Sequence, residues 1–199
     1  GVNTVASVFI NRKYAGEHRG GYGAFVFEIT DKVNYGKENS ILVRVNNSEQ
    51  LDIMPLVGDF NIYGGIYRDV NLIVTDEVCI SPLDYASSGV RLIQDSVSDE
   101  RAKVRTVVRL SNARKKDSEL ELSVVVKDGD KTVNSYSSSV IVPADSSISH
   151  EIPMALYKPH LWNGTKDPFM YNVVVSINED GKVLDSVSQK MGLRYYSVD

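Results

Sequence analysis

Apolar and polar residues alternate in short bursts along this chain, and turn formers bound each burst. Residues 5–10, 24–29, 41–45 and 70–74 are rich in β-branched and aromatic side chains, which predicts strands. The same rhythm returns at 104–110, 120–126, 133–142, 171–177 and 183–187. In Arg105-Thr106-Val107-Val108-Arg109 and Ser123-Val124-Val125-Val126-Lys127 the pattern predicts one strand face turned to a core. Lys127-Asp128-Gly129-Asp130 and Glu179-Asp180-Gly181-Lys182 set Asp-Gly between strands, the favoured composition of a two-residue hairpin turn. No long stretch carries helical periodicity, so the chain reads as all-β.

The rhythm breaks at Ile80-Ser81-Pro82-Leu83-Asp84, and proline is poorly tolerated inside a sheet. A boundary is expected near residues 78–84, dividing a first domain, 1–80, from a second, 81–199. The second holds about seven candidate strands at a spacing that suits an immunoglobulin-like sandwich, without the Cys…Trp…Cys pattern of antibody domains. The first holds about five, fewer than a two-sheet sandwich needs to cover both inner faces. A first domain whose opening strands lie outside this sequence is expected, with an exposed sheet edge prone to association.

Composition adds limits. The chain has 199 residues, 42% hydrophobic and 24% charged, which is ordinary for a globular protein with a core. Its formal net charge is -4, and only Arg114-Lys115-Lys116 forms a basic run, so nucleic acid and anionic membrane are poor partners. No apolar run approaches the roughly 20 residues that span a bilayer. The single cysteine, Cys79 in Val78-Cys79-Ile80, rules out an internal disulfide and reads as a buried, inert thiol.

The stretch with most chemistry is Asp59-Phe60-Asn61-Ile62-Tyr63-Gly64-Gly65-Ile66-Tyr67-Arg68-Asp69-Val70. Adjacent glycines let the backbone turn sharply or approach another surface. Aromatics beside a carboxylate offer flat apolar faces and a hydrogen-bond acceptor, a combination that suits a polyol such as a sugar. The plainer alternative is a bulge leading into a strand.

These residues, taken in order, resemble the non-catalytic front part of glycoside hydrolase family 2 enzymes, the group of β-galactosidases, β-glucuronidases and β-mannosidases. The likeness runs through Gly1-Val2-Asn3, Val8-Phe9-Ile10-Asn11-Arg12, Gly20-Gly21-Tyr22, Phe25-Val26-Phe27-Glu28, Asn39 to Ser48 and the stretch 59–70. It continues through Pro159-His160-Leu161-Trp162, Asp167-Pro168-Phe169-Met170-Tyr171, Asp180-Gly181, Asp185 and Gly192-Leu193-Arg194. It implies a truncated, galactose-binding-like jelly-roll followed by an immunoglobulin-like sandwich. One departure is Asn11-Arg12, where the family usually has Asn-Gly. A non-glycine residue in a left-handed position costs roughly 1 kcal/mol, so a slightly different turn is expected there.

The resemblance implies a parent enzyme, a β-galactosidase hydrolysing terminal β-galactosides with retention, its catalytic glutamates on a (β/α)8 barrel beyond Asp199. Such a barrel needs roughly 250 residues, so the chain alone is expected to be inactive and to hold no catalytic residue. The alternatives are the same portion of a β-glucuronidase or β-mannosidase, or a free-standing carbohydrate-binding or adhesion module. By resemblance Asp59 reaches the sugar's hydroxyls and is a possible sodium ligand in the intact enzyme, and Asn3 offers a donor and an acceptor to the same subsite. Tyr63, Tyr67 and Phe60 are candidates to line it, against aromatic core packing for at least two of them. No cofactor is expected in this portion, with sodium or magnesium in the intact enzyme. The implied partners are a carbohydrate, the enzyme's own barrel and a further copy in a homo-oligomer; the compartment is left open, a periplasmic or secreted bacterial enzyme being favoured over a cytoplasmic one.

The remaining polar groups read as structural. His18, His150 and His160 lack a nucleophile motif and read as ordinary surface or packing histidines. Glu17, Glu28, Glu119 and Glu121 read as solvated strand or turn residues. Trp162 reads as an anchor of the sandwich, and neighbours Arg68 and Asp69 point to opposite faces.

Overall fold

The computed structural model describes residues 1–54, 58 and 63–196. Among them there is no helix; the fold is all-β and divides into two units, Gly1–Ile73 and Val74–Asp199.

The first unit contains β1 (Val2–Asn3), β2 (Val5–Ile10), β3 (Lys13–Arg19), β4 (Ile41–Asn46) and β5 (Gly65–Ile66). β2 is the middle of an antiparallel sheet ordered β3-β2-β4, and β1 pairs with β5. The β2–β3 hairpin closes Ile10 against Lys13, with Asn11 at φ 51° and Arg12 at φ 69°. Positive φ at both central residues marks a type I′ turn. The expected change of turn therefore does not occur: Arg12 accepts the left-handed conformation itself.

Alternation gives the sheet two faces. Gly16 lies on the face of Ala6 and Val8, where an added Cβ would stand 2.3 Å from the Phe27 ring. Phe25 stacks on His18, ring centroids 4.4 Å apart. Residues 24–29, expected as a strand, therefore lie against a sheet face, and their backbone pairs with no strand among the described residues. Residues 70–74 are likewise unpaired and exposed. β-propensity reports fitness for a half-buried pleated surface, and a strand also needs a neighbour with a free edge.

The second unit holds β6 (Val78–Ile80), β7 (Val90–Val97), β8 (Arg101–Asn112), β9 (Ser118–Asp128), β10 (Lys131–Val142), β11 (Ser146–Tyr157), β12 (Tyr171–Glu179) and β13 (Lys182–Met191). One sheet runs β10-β9-β12-β13; in the other, β8 is flanked by β11 on one edge and by β6 and β7 on the other. Alternate residues Leu120, Leu122, Val124 and Val126 of β9 and Tyr171, Val173, Val175 and Ile177 of β12 face Ala102, Val104, Val108 and Leu110 of β8 in one core. This is the expected sandwich. The boundary moves: β6 pairs with Leu110–Asn112, so residues 78–80, expected in the first domain, belong to the second unit.

Both predicted Asp-Gly hairpins exist, with different turns. Asp180 (φ 51°) and Gly181 (φ 78°) form a type I′ turn between Glu179 and Lys182. At the other hairpin Asp128 pairs with Lys131, so the turn residues are Gly129 and Asp130. Only Gly129 has positive φ, the signature of a type II′ turn with glycine first. Cys79 is buried as expected, its Sγ 3.3 Å from Ser111 Oγ.

Buried polar groups close the ends of the core. Asn112 donates from Nδ2 to the carbonyls of Lys116 and Val142 (2.9 and 3.0 Å), and its Oδ1 accepts from Arg114 N–H. Arg114 donates to both oxygens of Glu179 (2.9 and 2.7 Å) and to Asp76 (3.3 Å). The Val78 N–H, and then Arg114, hold the Asp76 carboxyl below the usual carboxylate range.

Candidate functional site

Three sequence segments far apart in the chain converge in the first unit. β1 aligns Val2 with Ile66 and Asn3 with Gly65, laying the N-terminus along the glycine-aromatic stretch. Asn3 Nδ2 donates to the Tyr63 carbonyl at 2.8 Å, and the Tyr67 N–H donates to the Gly1 carbonyl at 3.1 Å. The third segment is Gly20-Gly21-Tyr22-Gly23. Tyr67 Oη donates to the Gly21 carbonyl, and Arg68 Nη1 donates to that of Tyr22 at 3.1 Å.

Glycines make this approach possible. A Cβ on Gly21 would lie 2.6 Å from Asn3 Oδ1, and one on Gly64 would lie 2.6 Å from Asn47 Cγ. Gly65 has φ +117°, a conformation that side-chain-bearing residues rarely adopt. Of the two roles expected of Gly64-Gly65, the close approach is present at Gly64, while Gly65 supplies an unusual φ within β5 instead of a sharp turn.

The structure places the candidates unequally. Asn3 is buried, at 9% exposure, and its amide holds the loop backbone; Oδ1 faces Gly21. Tyr63 is exposed. Tyr67 is half exposed, ties two segments together and lies under the Arg68 guanidinium, 5.2 Å from its ring centroid. Arg68 pairs with no carboxylate among the described residues. Asp59 and Phe60 lie outside the described residues. The described residues gather no group of three His, Cys, Asp or Glu suited to a metal.

His18 adds a feature that the sequence did not reveal. Its Nε2 is buried and has no partner among the described residues, close to where Gly20 and Gly23 pass. His150 meets Ser138 Oγ at 3.1 Å; His160 meets Asp167 Oδ2 at 2.7 Å and stacks on Phe169. Glu17 is exposed on β3, as expected of a solvated strand residue, and accepts from Ser7 Oγ at 2.9 Å. Trp162 anchors the second unit: its backbone N–H donates to the Leu193 carbonyl at 2.8 Å, and Gly192 lies against its side chain.

The chain thus joins an all-β unit with a glycine-aromatic loop convergence to an immunoglobulin-like sandwich that follows it in the sequence. Residues 1–76 match the sugar binding domain of glycosyl hydrolases family 2, and residues 88–194 match a second domain of glycosyl hydrolases family 2. The chain belongs to that family. It is 61% identical to a β-glucuronidase of Bacteroides fragilis over the whole chain and 28% of that relative. It is 32% identical to a β-galactosidase of Thermoanaerobacter pseudethanolicus, over 98% of the chain and 25% of the relative. The crystal structure of a Bacteroides uniformis β-glucuronidase superposes with a TM-score of 0.94 at 27% identity, covering the whole chain and 24% of that structure. The chain therefore spans about a quarter of the proteins it matches.

Proposed function

We propose that this chain is the non-catalytic front portion of a retaining β-glycosidase and that the whole enzyme acts on terminal β-glucuronides. The observation that carries the substrate is the 61% identity, along all 199 residues, to a β-glucuronidase. A β-galactoside is the second reading, supported by the 32% identical β-galactosidase. In either case the acid/base and nucleophile carboxylates, about 5 Å apart, belong to a barrel outside these residues. The first unit contributes the loop around Tyr63, held by Asn3, Gly21 and Tyr67, and Asp59 contributes a charged acceptor for the sugar's hydroxyls. A sodium ion in the intact enzyme would take Asp59 as an oxygen ligand.

The test uses the full-length protein with chromogenic β-glucuronide, β-galactoside and β-mannoside. The highest kcat/KM is expected on the glucuronide; preference for the galactoside would replace the first reading by the second, and inactivity on all three would overturn both. A coding sequence without a barrel would favour a free-standing binding module. Asp59→Asn removes charge at constant size. A charged hydrogen bond is worth roughly 1.5–3 kcal/mol, so kcat/KM should fall about tenfold to a hundredfold or somewhat more, with unchanged melting.

A further inference from the structure

The outward face of the β3-β2-β4 sheet carries two cross-strand rows, Glu17–Ser7–Arg44 and Arg19–Val5–Asn46. Ser7 is 2% exposed and links its row: it donates to Glu17 Oε2 at 2.9 Å and accepts from Arg44 Nη2 at 3.2 Å. In the second row Arg19 is fully engaged. Its Nε and Nη2 donate to Asp52 (3.1 and 2.8 Å), Nη2 also reaches Gln50 Oε1 at 3.2 Å, and Nη1 lies 3.6 Å from Glu17.

Arg44 differs. Among the described residues it pairs with no carboxylate, and its one hydrogen bond goes to a neutral hydroxyl. Asn46 uses Oδ1 to accept from the Ser48 N–H at 2.9 Å, and its amide N–H groups have no partner among the described residues. Arg44 and Asn46 stand two apart on one strand, so both face the same side, roughly 6–7 Å from each other. These residues, with Glu17, Arg19 and Gln50, line an open groove of about 480 Å³. That is within the ~300–1,000 Å³ typical of small-ligand sites.

The groove therefore offers an uncommitted guanidinium, an amide donor beside it, and a carboxylate acceptor across Ser7. A guanidinium matches a carboxylate in a two-point fork. The amide and Glu17 then suit hydroxyls. We propose that this face binds a uronic acid unit, its carboxylate on Arg44 and its hydroxyls on Asn46 and Glu17. The groove's chemistry does not depend on which glycoside the enzyme hydrolyses.

The test is isothermal titration of the full-length protein with galacturonate, galactose and acetate. Galacturonate should bind at least tenfold more tightly than either other probe. Arg44→Ala should weaken galacturonate at least tenfold while leaving kcat/KM on a small chromogenic glycoside and the melting midpoint unchanged. Arg44→Gln, which keeps length and polarity, should lose the same binding and decides the matter if the alanine variant is destabilised. Wild-type affinity for galacturonate in Arg44→Gln, or galactose or acetate binding as tightly as galacturonate, would overturn the proposal. Because its readout is binding at Arg44, its failure is distinct from a failure of the glucuronide reading.

Discussion

Removing the Asn3 side-chain amide should loosen the loop convergence before it touches any sugar. Asn3→Ala deletes the donor that satisfies the Tyr63 carbonyl at 2.8 Å, from a side chain only 9% exposed. Losing one hydrogen bond to a carbonyl of the exposed Tyr63 costs about 0.5–1.5 kcal/mol. In a domain of this size each kcal/mol lowers the melting midpoint by about 4–8 °C. Asn3→Asp is the sharper probe, because it keeps the shape and turns an acceptor toward the carbonyl; it should destabilise at least as much. The assay is scanning calorimetry of the full-length protein, following the transition of the first unit, with kcat/KM measured in parallel. Both variants should lower that transition and kcat/KM together. A fall in kcat/KM with an unmoved transition would make Asn3 a direct sugar contact and refute the positioning argument. Unchanged values in both variants would show that the hydrogen bond positions nothing.

Three further outcomes are expected. Arg12→Gly relieves a left-handed non-glycine at φ 69°, which costs roughly 1 kcal/mol, so the urea midpoint of the first unit should rise; a fall would contradict the strain. Leu122→Ala empties a fully buried site in the β9 core and should destabilise the second unit by about 2–5 kcal/mol in urea unfolding, whereas a loss under 1 kcal/mol would mean the sandwich collapses around it. The folded-state pKa of Asp76 is depressed, chiefly by the Val78 N–H, so its stabilising contribution is present above the unfolded value of about 3.9 and is lost as pH falls below it. Asp76→Asn should therefore flatten the acid end of the second unit's stability profile, and an identical acid slope in both proteins would exclude that linkage.

The sandwich was legible because its strands carry a period of two: Leu120, Leu122, Val124 and Val126 alternate with Glu121, Ser123 and the partly exposed Val125, and the structure buries each of the four. β11 escaped that reading. Its serines and Pro153 resemble a loop, yet Pro153 is tolerated because β11 lies at a sheet edge, where a missing N–H costs no ladder bond. β3 was hidden by Gly16, a residue that weakens a strand signal; the structure needs it because Phe27 occupies the place of a side chain. The opposite error arose at 24–29 and 70–74, where composition favours a strand and no described neighbour supplies an edge. Asn3 was identified as chemically notable, but its partner is a backbone carbonyl, which no side-chain pattern announces. The Glu17–Ser7–Arg44 row could be found only once the register of β2, β3 and β4 was known, because its members lie at three separate places in the sequence.

The two units hold their shapes by different physics, and this bears on how mutations should be read. Unit two buries a continuous apolar core between its sheets. In the first unit the described buried apolar residues are Val2, Val5, Ala6, Ile10 and Ile53, while Ile41, Leu42, Val70, Leu72 and Ile73 remain exposed. At about 25 cal/mol per Å² of buried apolar surface these five side chains contribute little, and among the described residues polar links carry a larger share. Those links are the contacts of the candidate site: Asn3 to Tyr63, Tyr67 to Gly21 and to Gly1, Arg68 to Tyr22. Stability and site geometry are thus coupled in the first unit through the same hydrogen bonds. A segment with few buried apolar contacts opens at low free energy, so its amides should exchange with solvent well before those of β8, β9 and β12. Loss of activity on mutating the loop therefore identifies a sugar contact only when local exchange protection is preserved. The same variants in the second unit's core would change global unfolding without moving the loop.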